Sequence, residues 1–307
     1  MKNYLITGGA GFIGSSIAKA LINRGDKCTI IDNLSTGIEN NIPNESEFIK
    51  FECSLESEYS KLSDLKFDAV LHLAAQSSGE ASFKDPLLDL NSHVKSTFFI
   101  LQYCKKNKID QFLYASSMAV YGQPNNFEVH EENKILPISY YGAAKAAAEI
   151  LVQHHTRMGM KNNIIRMFNI YGPNQNLSNM MQGMISIYLS YVLNDKPIIV
   201  KGSEKRFRDF LFIDDAVDAW IRILDNKNSD NEIYNLGSGI RTEVKDILEI
   251  IRKNIAQSDY PISFQDGTPG DQFGIFANIS KLSKDIDWKP KCNIELGIEK
   301  MLKYYNY

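Results

Sequence analysis

The most constraining feature of this sequence is a glycine-rich turn that directly follows a short apolar run near its start. The run Tyr4–Thr7 leads into GGAGFIG at positions 8–14, and a segment with helical periodicity, Phe12–Asn23, comes next. The spacing of Gly8, Gly11 and Gly14 predicts a tight turn, close approach of backbone amides to a pyrophosphate, and close packing of a helix on a sheet. The pattern predicts the first strand, turn and helix of a dinucleotide-binding fold.

The next 150 residues repeat this alternation of short apolar runs and helical segments. Such a rhythm is typical of a parallel sheet covered by helices on both faces. We therefore predict an α/β fold, a doubly wound Rossmann-type parallel sheet, within residues 1–170. The predicted strands are Tyr4–Thr7, Cys28–Ile31, Phe48–Phe51, Ala69–His72, Gln111–Ala115 and Asn163–Met167, and the main helices are Phe12–Asn23, Leu87–Lys106 and Tyr140–Met158.

The rhythm changes after about residue 170, where Gly172-Pro173-Asn174 interrupts the chain. Helices then alternate with shorter extended pieces, which predicts a smaller C-terminal α/β substrate-binding lobe over residues 171–307. The boundary is approximate, and the chain can cross back to the first domain. The extended pieces are Pro197–Val200, Arg208–Phe212, Glu232–Asn235 and Ile262–Phe264.

The second predicted strand ends in an acidic residue, Asp32. A carboxylate at this place accepts hydrogen bonds from both hydroxyls of an adenosine ribose and repels a 2′-phosphate. No Lys or Arg occurs from Asn33 through Phe48 to bind such a phosphate. The sequence therefore predicts NAD, rather than NADP, as the cofactor.

A second constellation lies in the helical segment that follows the fifth strand. Tyr141 and Lys145 are four residues apart, which places both side chains on one helical face. A phenol has a pKa near 10, and a nearby ammonium together with a cationic nicotinamide would favour its phenolate form. Ser117 follows the fifth strand, where a hydroxyl points toward the nicotinamide and can donate to a substrate oxygen.

Charge and cysteine usage exclude several classes of protein. There are 34 Lys+Arg against 37 Asp+Glu and no basic block, which argues against a nucleic-acid partner. The four cysteines are far apart and form no CxxC pair, so neither a metal site nor a disulfide framework is expected. No apolar run is long enough for a membrane-spanning helix and no cleavable leader is evident, so we expect a cytoplasmic protein.

Taken with these residues, a set of motifs along the whole chain resembles the extended short-chain dehydrogenase/reductase family, and within it the NAD-dependent nucleotide-sugar epimerases. The motifs are GGAGFIG, DNLSTG (32–37), HLAA (72–75), YASSMAVYG (114–122), YGAAK (141–145), RMFNIYGP (166–173), RDF (208–210), PGD (269–271) and WKPK (288–291).

The resemblance implies a catalytic triad of Ser117, Tyr141 and Lys145. It also implies a cofactor site and a site for the diphosphate of a sugar nucleotide, in which a guanidinium fork matches phosphate oxygens. Arg206, near that fork, is expected on the surface. The cofactor-binding residues would be Gly8, Gly11, Phe12, Ile13, Asp32, Asn33, Ser35, Thr36, Gly37, Glu52, Cys53, Leu73, Ala74, Ala75, Asn91, Tyr141, Lys145 and Phe168. The substrate-binding residues would be Ser117, Asn169, Gln182, Arg208 and Asp271.

The implied activity is NAD-dependent epimerisation of a nucleotide-diphosphate sugar, at C4, through a transient keto intermediate. A nucleotide-sugar 4-dehydrogenase or ketoreductase with the same triad is the alternative, and a non-catalytic binding module is a further one. Met118 and Ala119 stand where 4,6-dehydratases carry an Asp-Glu pair, which disfavours dehydration. Thr268 replaces an Arg found in many epimerases, so the nucleotide is left open; Arg241 is a candidate substitute.

The predicted helices Leu87–Lys106 and Tyr140–Met158 carry more apolar residues than one sheet-facing stripe needs. Related proteins pair these helices in a four-helix interface, so the resemblance implies a homodimer. The residues expected to contribute are Phe98, Phe99, Leu101, Ile150 and Leu151.

Overall fold

The computed structural model describes residues 1–181, 183–267 and 272–307. Within these ranges seven strands form one parallel sheet. Its strands are β1 (Asn3–Thr7), β2 (Lys27–Asp32), β3 (Glu47–Lys50), β4 (Ala69–His72), β5 (Gln111–Ser117), β7 (Lys161–Met167) and β12 (Ile233–Leu236). Their order across the sheet is β12-β7-β5-β4-β1-β2-β3. The doubly wound α/β fold predicted from the sequence is confirmed.

Helices cover both faces of this sheet, which explains why its strands are apolar on both sides. Tyr4 and Ile6 of β1 pack in one core with the helices Phe12–Asn23 and Ile213–Asp225. Leu5 points to the other face and packs in a second core with the helices Ser96–Asn107 and Tyr140–Arg157. The helices are α1 (Phe12–Asn23), α2 (Gly79–Lys84), α3 (Pro86–Asp89), α4 (Ser96–Asn107), α5 (Tyr140–Arg157), α6 (Met184–Leu193), α7 (Ile213–Asp225), α8 (Val244–Asn254), α9 (Ser280–Ile286) and α10 (Ile294–Tyr304).

Short paired strands build the rest of the molecule. Arg208–Phe212, expected as one extended piece, is interrupted at Asp209. The remaining strands are β6 (Glu128–Val129), β8 (Asn169–Tyr171), β9 (Ile198–Lys201), β10 (Phe207–Arg208), β11 (Phe210–Phe212), β13 (Thr242–Glu243), β14 (Ile262–Gln265) and β15 (Phe276–Ala277). They pair as β10-β13, β11-β8, β14-β9 and β15-β6.

One piece assigned to the second lobe lies elsewhere. β12, predicted as Glu232–Asn235, is the edge strand of the large sheet and pairs in parallel with β7. The chain therefore returns to the first domain after residue 170. The division into domains 1–170 and 171–307 stays a prediction.

The segment Leu87–Lys106 is not the single α-helix predicted from its periodicity. It consists of the end of α3, a π-helix over Leu90–Lys95, and most of α4. A π-turn inserts one extra residue into the helical repeat, which a 3.6-residue pattern cannot reveal. Leu101 is fully buried in the core, so its expected place in a subunit interface is wrong. Across the described parts of the chain, no helix combines the length and apolarity needed to span a membrane.

Candidate active site

A cleft of about 980 Å³ opens at the carboxyl ends of the strands, where the order of the sheet reverses on either side of β1. Dinucleotides bind at such switch points. All the site residues predicted from the sequence that the structure describes line this one cleft. They are Gly8, Gly11, Phe12, Ile13, Asp32, Asn33, Ser35, Thr36, Gly37, Glu52, Cys53, Leu73, Ala74, Ala75, Asn91, Ser117, Tyr141, Lys145, Phe168, Asn169 and Arg208.

The floor of the cleft is a turn in which side chains have no room. Gly8 has φ +69, and a Cβ there would lie 2.7 Å from the backbone nitrogen of Ala74. A Cβ on Gly14 would lie 2.4 Å from the carbonyl oxygen of Gly8. Gly11 is the N-cap of α1 and has no side chain to cap the helix. The free amides at this helix end fit a pyrophosphate, as the glycine spacing predicts.

The acidic residue at the end of β2 is held rigidly beside this turn. Asp32 is 7% exposed, and its carboxylate accepts hydrogen bonds from the backbone nitrogens of Ala10 (3.1 Å) and Leu34 (2.8 Å). Burial raises the pKa of Asp32, those two hydrogen bonds lower it, and the nearby charge of Glu52 raises it. Two carboxylates at this end fit a ribose with free hydroxyls and disfavour a 2′-phosphate.

The predicted triad lies on two elements that meet in the cleft. Ser117 ends β5 and caps the 3₁₀ helix Met118–Tyr121, with its Oγ accepting from the backbone nitrogen of Ala119 at 3.2 Å. Tyr141 is in the first turn of α5, which Ser139 caps at 3.1 Å through the backbone nitrogen of Gly142. Ser117 and Tyr141 both line the cleft.

Lys145 lies one turn further along α5 and is 4% exposed. Its Nζ donates to the carbonyl oxygen of Ala115 at 2.6 Å and lies 5.0 Å from the ring centroid of Tyr114. Burial lowers the pKa of Lys145 to about 7, although the charges of Glu149 and Asp89 raise it. The ammonium is therefore easily lost, which makes Lys145 sensitive to any further charge in the cleft.

The pKa of Tyr141 lies above the ordinary value of a phenol, mainly because the side chain is buried. The Ser117 hydroxyl lowers this pKa, and the charge of Asp89 raises it. The phenolate form predicted for Tyr141 therefore requires positive charge beyond that of Lys145. The cationic ring of oxidised nicotinamide is the second positive charge predicted beside this phenol.

A buried ion pair fixes these elements against each other. Arg166 of β7 donates to Glu149 of α5 through Nε (3.0 Å) and NH2 (2.8 Å), and both side chains are at most 2% exposed. Ser116 donates to the same carboxylate at 2.5 Å, and Arg166 NH1 donates to the hydroxyl of Tyr121 at 2.9 Å. Bidentate geometry of this kind locks orientation. β5, β7 and α5 are therefore held in one register below the triad.

The opposite wall carries the arginines. Arg208 is 3% exposed and donates to the backbone carbonyls of Phe207 (2.7 Å) and Gln272 (2.6 Å) while lining the cleft. Arg206, expected on the surface, is 8% exposed and also lines the cleft, so that expectation is wrong. Its guanidinium donates to the carbonyl oxygen of Lys201 at the end of β9. The local sequence gives no sign of this contact. Arg241 is exposed and pairs with Glu243 at 2.8 Å.

Two predicted substrate residues, Gln182 and Asp271, lie outside the described residues, as do Thr268, Pro269 and Gly270. Asn169 lines the cleft and donates to the carbonyl oxygen of Asp209 at 2.9 Å. Sequence reasoning missed a further group of lining residues, which only tertiary folding brings together: Gln76, Ser78, Glu80, Asn174, Gln175, Tyr188, Tyr191, Lys201 and Gln272.

Comparison with known proteins agrees with this geometry. Residues 4–237 match the model of the NAD dependent epimerase/dehydratase family. The chain is 33% identical over 302 residues to a putative UDP-glucose 4-epimerase of Methanocaldococcus jannaschii, covering 98% of this chain and 97% of that protein.

Solved structures give the same result. A UDP-glucose 4-epimerase of Thermotoga maritima with UDP-glucose superposes with a TM-score of 0.94 at 28% identity, covering 99% of this chain and 98% of the other. A UDP-glucose 4-epimerase of Thermus thermophilus in complex with NAD superposes with a TM-score of 0.92 at 27% identity, covering 99% of both chains.

Proposed function

This chain belongs to the NAD-dependent epimerase/dehydratase family, and from that premise we propose that it epimerises a nucleotide-diphosphate sugar at C4 through a transient keto intermediate. The cofactor is NAD, and the glycine turn and Asp32 described above fit it. When bound, NAD supplies the acceptor and donor of hydride. Most relatives named above are 4-epimerases, which supports the finer assignment.

The protein residues move and hold the proton. Tyr141 takes a proton from the sugar hydroxyl, and Ser117, which lines the same cleft, holds the same oxygen. Lys145 contributes positive charge on the same helical face. After the sugar turns over in the cleft, Tyr141 returns the proton to the new hydroxyl.

The observation that carries the proposal is that Ser117, Tyr141 and Lys145 line the same cleft as the glycine turn and Asp32. Beside Ser117, the 3₁₀ helix Met118–Tyr121 begins with Met118 and Ala119, and both line the cleft. Neither side chain can protonate a leaving hydroxyl or remove a C5 proton. The cleft therefore supports redox-neutral epimerisation better than 4,6-dehydration.

The alternative is a net oxidoreductase, a nucleotide-sugar 4-dehydrogenase or ketoreductase with the same triad. The two differ in stoichiometry, because an epimerase leaves its NAD unchanged whereas a dehydrogenase accumulates NADH. A non-catalytic binding module is disfavoured, since Ser117, Tyr141 and Lys145 together in one cleft have no evident binding purpose. The cytoplasmic location and the homodimer stay predictions, and the nucleotide and the sugar are left open.

The test is incubation of the NAD-loaded enzyme with UDP-, GDP-, CDP- and dTDP-hexoses, with products separated by chromatography and absorbance followed at 340 nm. We expect one nucleotide sugar to give its C4 epimer with no rise in absorbance. Steady formation of NADH would favour the dehydrogenase, and a 4-keto-6-deoxy product would show that a dehydratase acid and base come from elsewhere in the chain. Tyr141→Phe is the inactive control.

A further inference from the structure

A buried carboxylate that the proposed reaction does not use lies close to the triad. Asp89, the last residue of α3, is 1% exposed. Burial raises the pKa of Asp89, but the neighbouring His93 and the hydrogen bond from Gln76 outweigh that effect and bring the pKa below its ordinary value. Asp89 is therefore charged at neutral pH although it is almost wholly removed from water.

The partners of this carboxylate lead directly to the catalytic tyrosine. His93 Nε2 lies 3.3 Å from Asp89 Oδ1, and the imidazole packs edge-on against the ring of Tyr141 with 5.2 Å between ring centroids. Asp89 thus contacts the imidazole that packs against the ring of Tyr141.

A second partner of Asp89 leads to the substrate side. Gln76 Nε2 donates to Asp89 Oδ1 at 2.7 Å, and Gln76 lines the cleft. The same amide nitrogen donates to the carbonyl oxygen of Ser78 at 2.8 Å, and Ser78 donates to the carbonyl oxygen of Met181 across the cleft at 2.9 Å. The carboxylate therefore connects the wall of the substrate cleft with the residue that moves the proton.

The charge of Asp89 is not cancelled by its histidine. Burial and the charge of Lys145 lower the pKa of His93 to about 4, against the effect of Asp89, so the imidazole is neutral at pH 7. The other anion near Lys145, Glu149, is neutralised by the bidentate contact of Arg166. The ion-pair contact that Asp89 makes among the described residues is therefore with an imidazole that carries no charge at pH 7.

We propose that Asp89 is a positioning residue for the proposed epimerisation: through its contacts with His93 and Gln76 it orients Tyr141 against the substrate. The groups that face Tyr141 are Ser117 from β5, His93 from the π-helix, Asp89 from α3, and Lys145 from its own helix, with Tyr114 beneath. This inference rests on the proposed function, so its test includes a measurement that needs no turnover.

The direct test is Asp89→Asn, which removes the charge and keeps the shape of the side chain. Because a nearby anion raises the pKa of both Tyr141 and Lys145, its removal should shift the whole pH–kcat profile towards acid by about half a pH unit or more. Asp64→Asn, at an exposed position on the same domain, is the matched control and should leave the profile in place. A profile of Asp89→Asn that superposes on wild type would overturn the proposal.

The second readout is the ultraviolet difference titration of Tyr141 in the NAD-loaded enzyme, assigned by subtracting the curve of Tyr141→Phe. Asp89→Asn should move the phenol titration to lower pH, and an unmoved titration is contrary to the proposal. This result stands whether or not the wild-type enzyme epimerises any sugar, so failure of the proposed function is recognised separately.

A variant that leaves Asp89 intact covers the case in which Asp89→Asn does not fold. His93→Leu removes the imidazole that lies between Asp89 and the ring of Tyr141. We expect kcat to fall by about three- to tenfold with KM for the nucleotide sugar almost unchanged, since a misplaced proton acceptor acts mainly on the transition state. An unchanged kcat, or a loss confined to KM, would mean that this connection does not position Tyr141.

Discussion

At the scale of single residues, the chemistry depends on charges that the fold keeps away from water. Lys145 is the clearest case, because burial lowers its pKa to about 7 while Asp89 and Glu149 oppose that shift. The sequence predicted that Tyr141 and Lys145 share a helical face. It could not predict the burial of either group, because Asp89 and His93 are about 50 residues away along the chain.

The roles of the two residues differ in their dependence on pH. Tyr141→Phe should abolish turnover at every pH and barely affect binding of the nucleotide sugar, because the phenol oxygen acts in the transition state. Lys145→Ala should lose activity at neutral pH and recover part of it towards pH 10, where a phenol without its cation ionises. Steady-state rates from pH 6 to 10 check this, with Lys19→Ala as an exposed control. Substantial turnover by Tyr141→Phe at pH 7 would mean that another group takes the proton.

Asp32 should decide the choice of cofactor. We expect NAD to bind more tightly than NADP by more than about tenfold, because a 2′-phosphate beside a buried carboxylate is repelled in a site of low dielectric constant. Titration calorimetry measures both affinities, and Asp32→Asn should narrow the difference. Equal affinities in the wild-type protein would show that Asp32 does not read the ribose.

At the scale of elements, periodicity and turn residues predicted most of the large sheet. α1 begins and ends where the sequence placed it, at Phe12 and Asn23, and β4 coincides with Ala69–His72. The π-helix Leu90–Lys95 was missed because its cause is tertiary: it places Asn91 in the cleft and buries His93 beside Tyr141. Arg206 was missed because its burial comes with the turn after β9, where its guanidinium donates to the carbonyl oxygen of Lys201.

The packing of α1 on β1 makes a prediction of its own. Gly14→Ala should lower the free energy of unfolding by about 1–3 kcal/mol, because the added Cβ would lie 2.4 Å from the carbonyl oxygen of Gly8 and the helix must shift. Gly79→Ala, where a Cβ meets nothing within 4 Å, is the matched control and should not destabilise. Urea unfolding of both variants measures the difference. Equal midpoints would show that the turn adapts without cost.

At the scale of the whole molecule, the cleft exists only because two parts of the chain meet. β1, β4 and β5 supply the cofactor side, and residues from 167 onward supply the opposite wall. The sequence predicted the existence of a smaller lobe, but the return of the chain through β12 depends on strand pairing that no local pattern encodes.

The helices expected to pair between subunits expose several large apolar side chains. The most exposed are Leu87 (68%), Ile150 (65%), Leu90 (53%) and Phe98 (42%). Such an apolar surface is costly to leave in water. We predict a homodimer through these helices, which Ile150→Glu should weaken, whereas Ile240→Glu at a comparably exposed site should not. Light scattering at micromolar concentration gives the mass. A monomer mass for the wild-type protein would contradict the prediction.

The most direct test of the central claim is the fate of the hydrogen at C4. The nucleotide hexose that the enzyme epimerises, carrying deuterium at C4, is incubated with the NAD-loaded enzyme, and the C4 epimer is analysed by mass spectrometry and NMR. Transient oxidation predicts that the deuterium leaves and returns within one cleft, so the epimer keeps it at C4 and no reduced cofactor accumulates. An epimer that has exchanged its C4 deuterium for solvent hydrogen, or deuterium that accumulates in free NADH, would contradict the account.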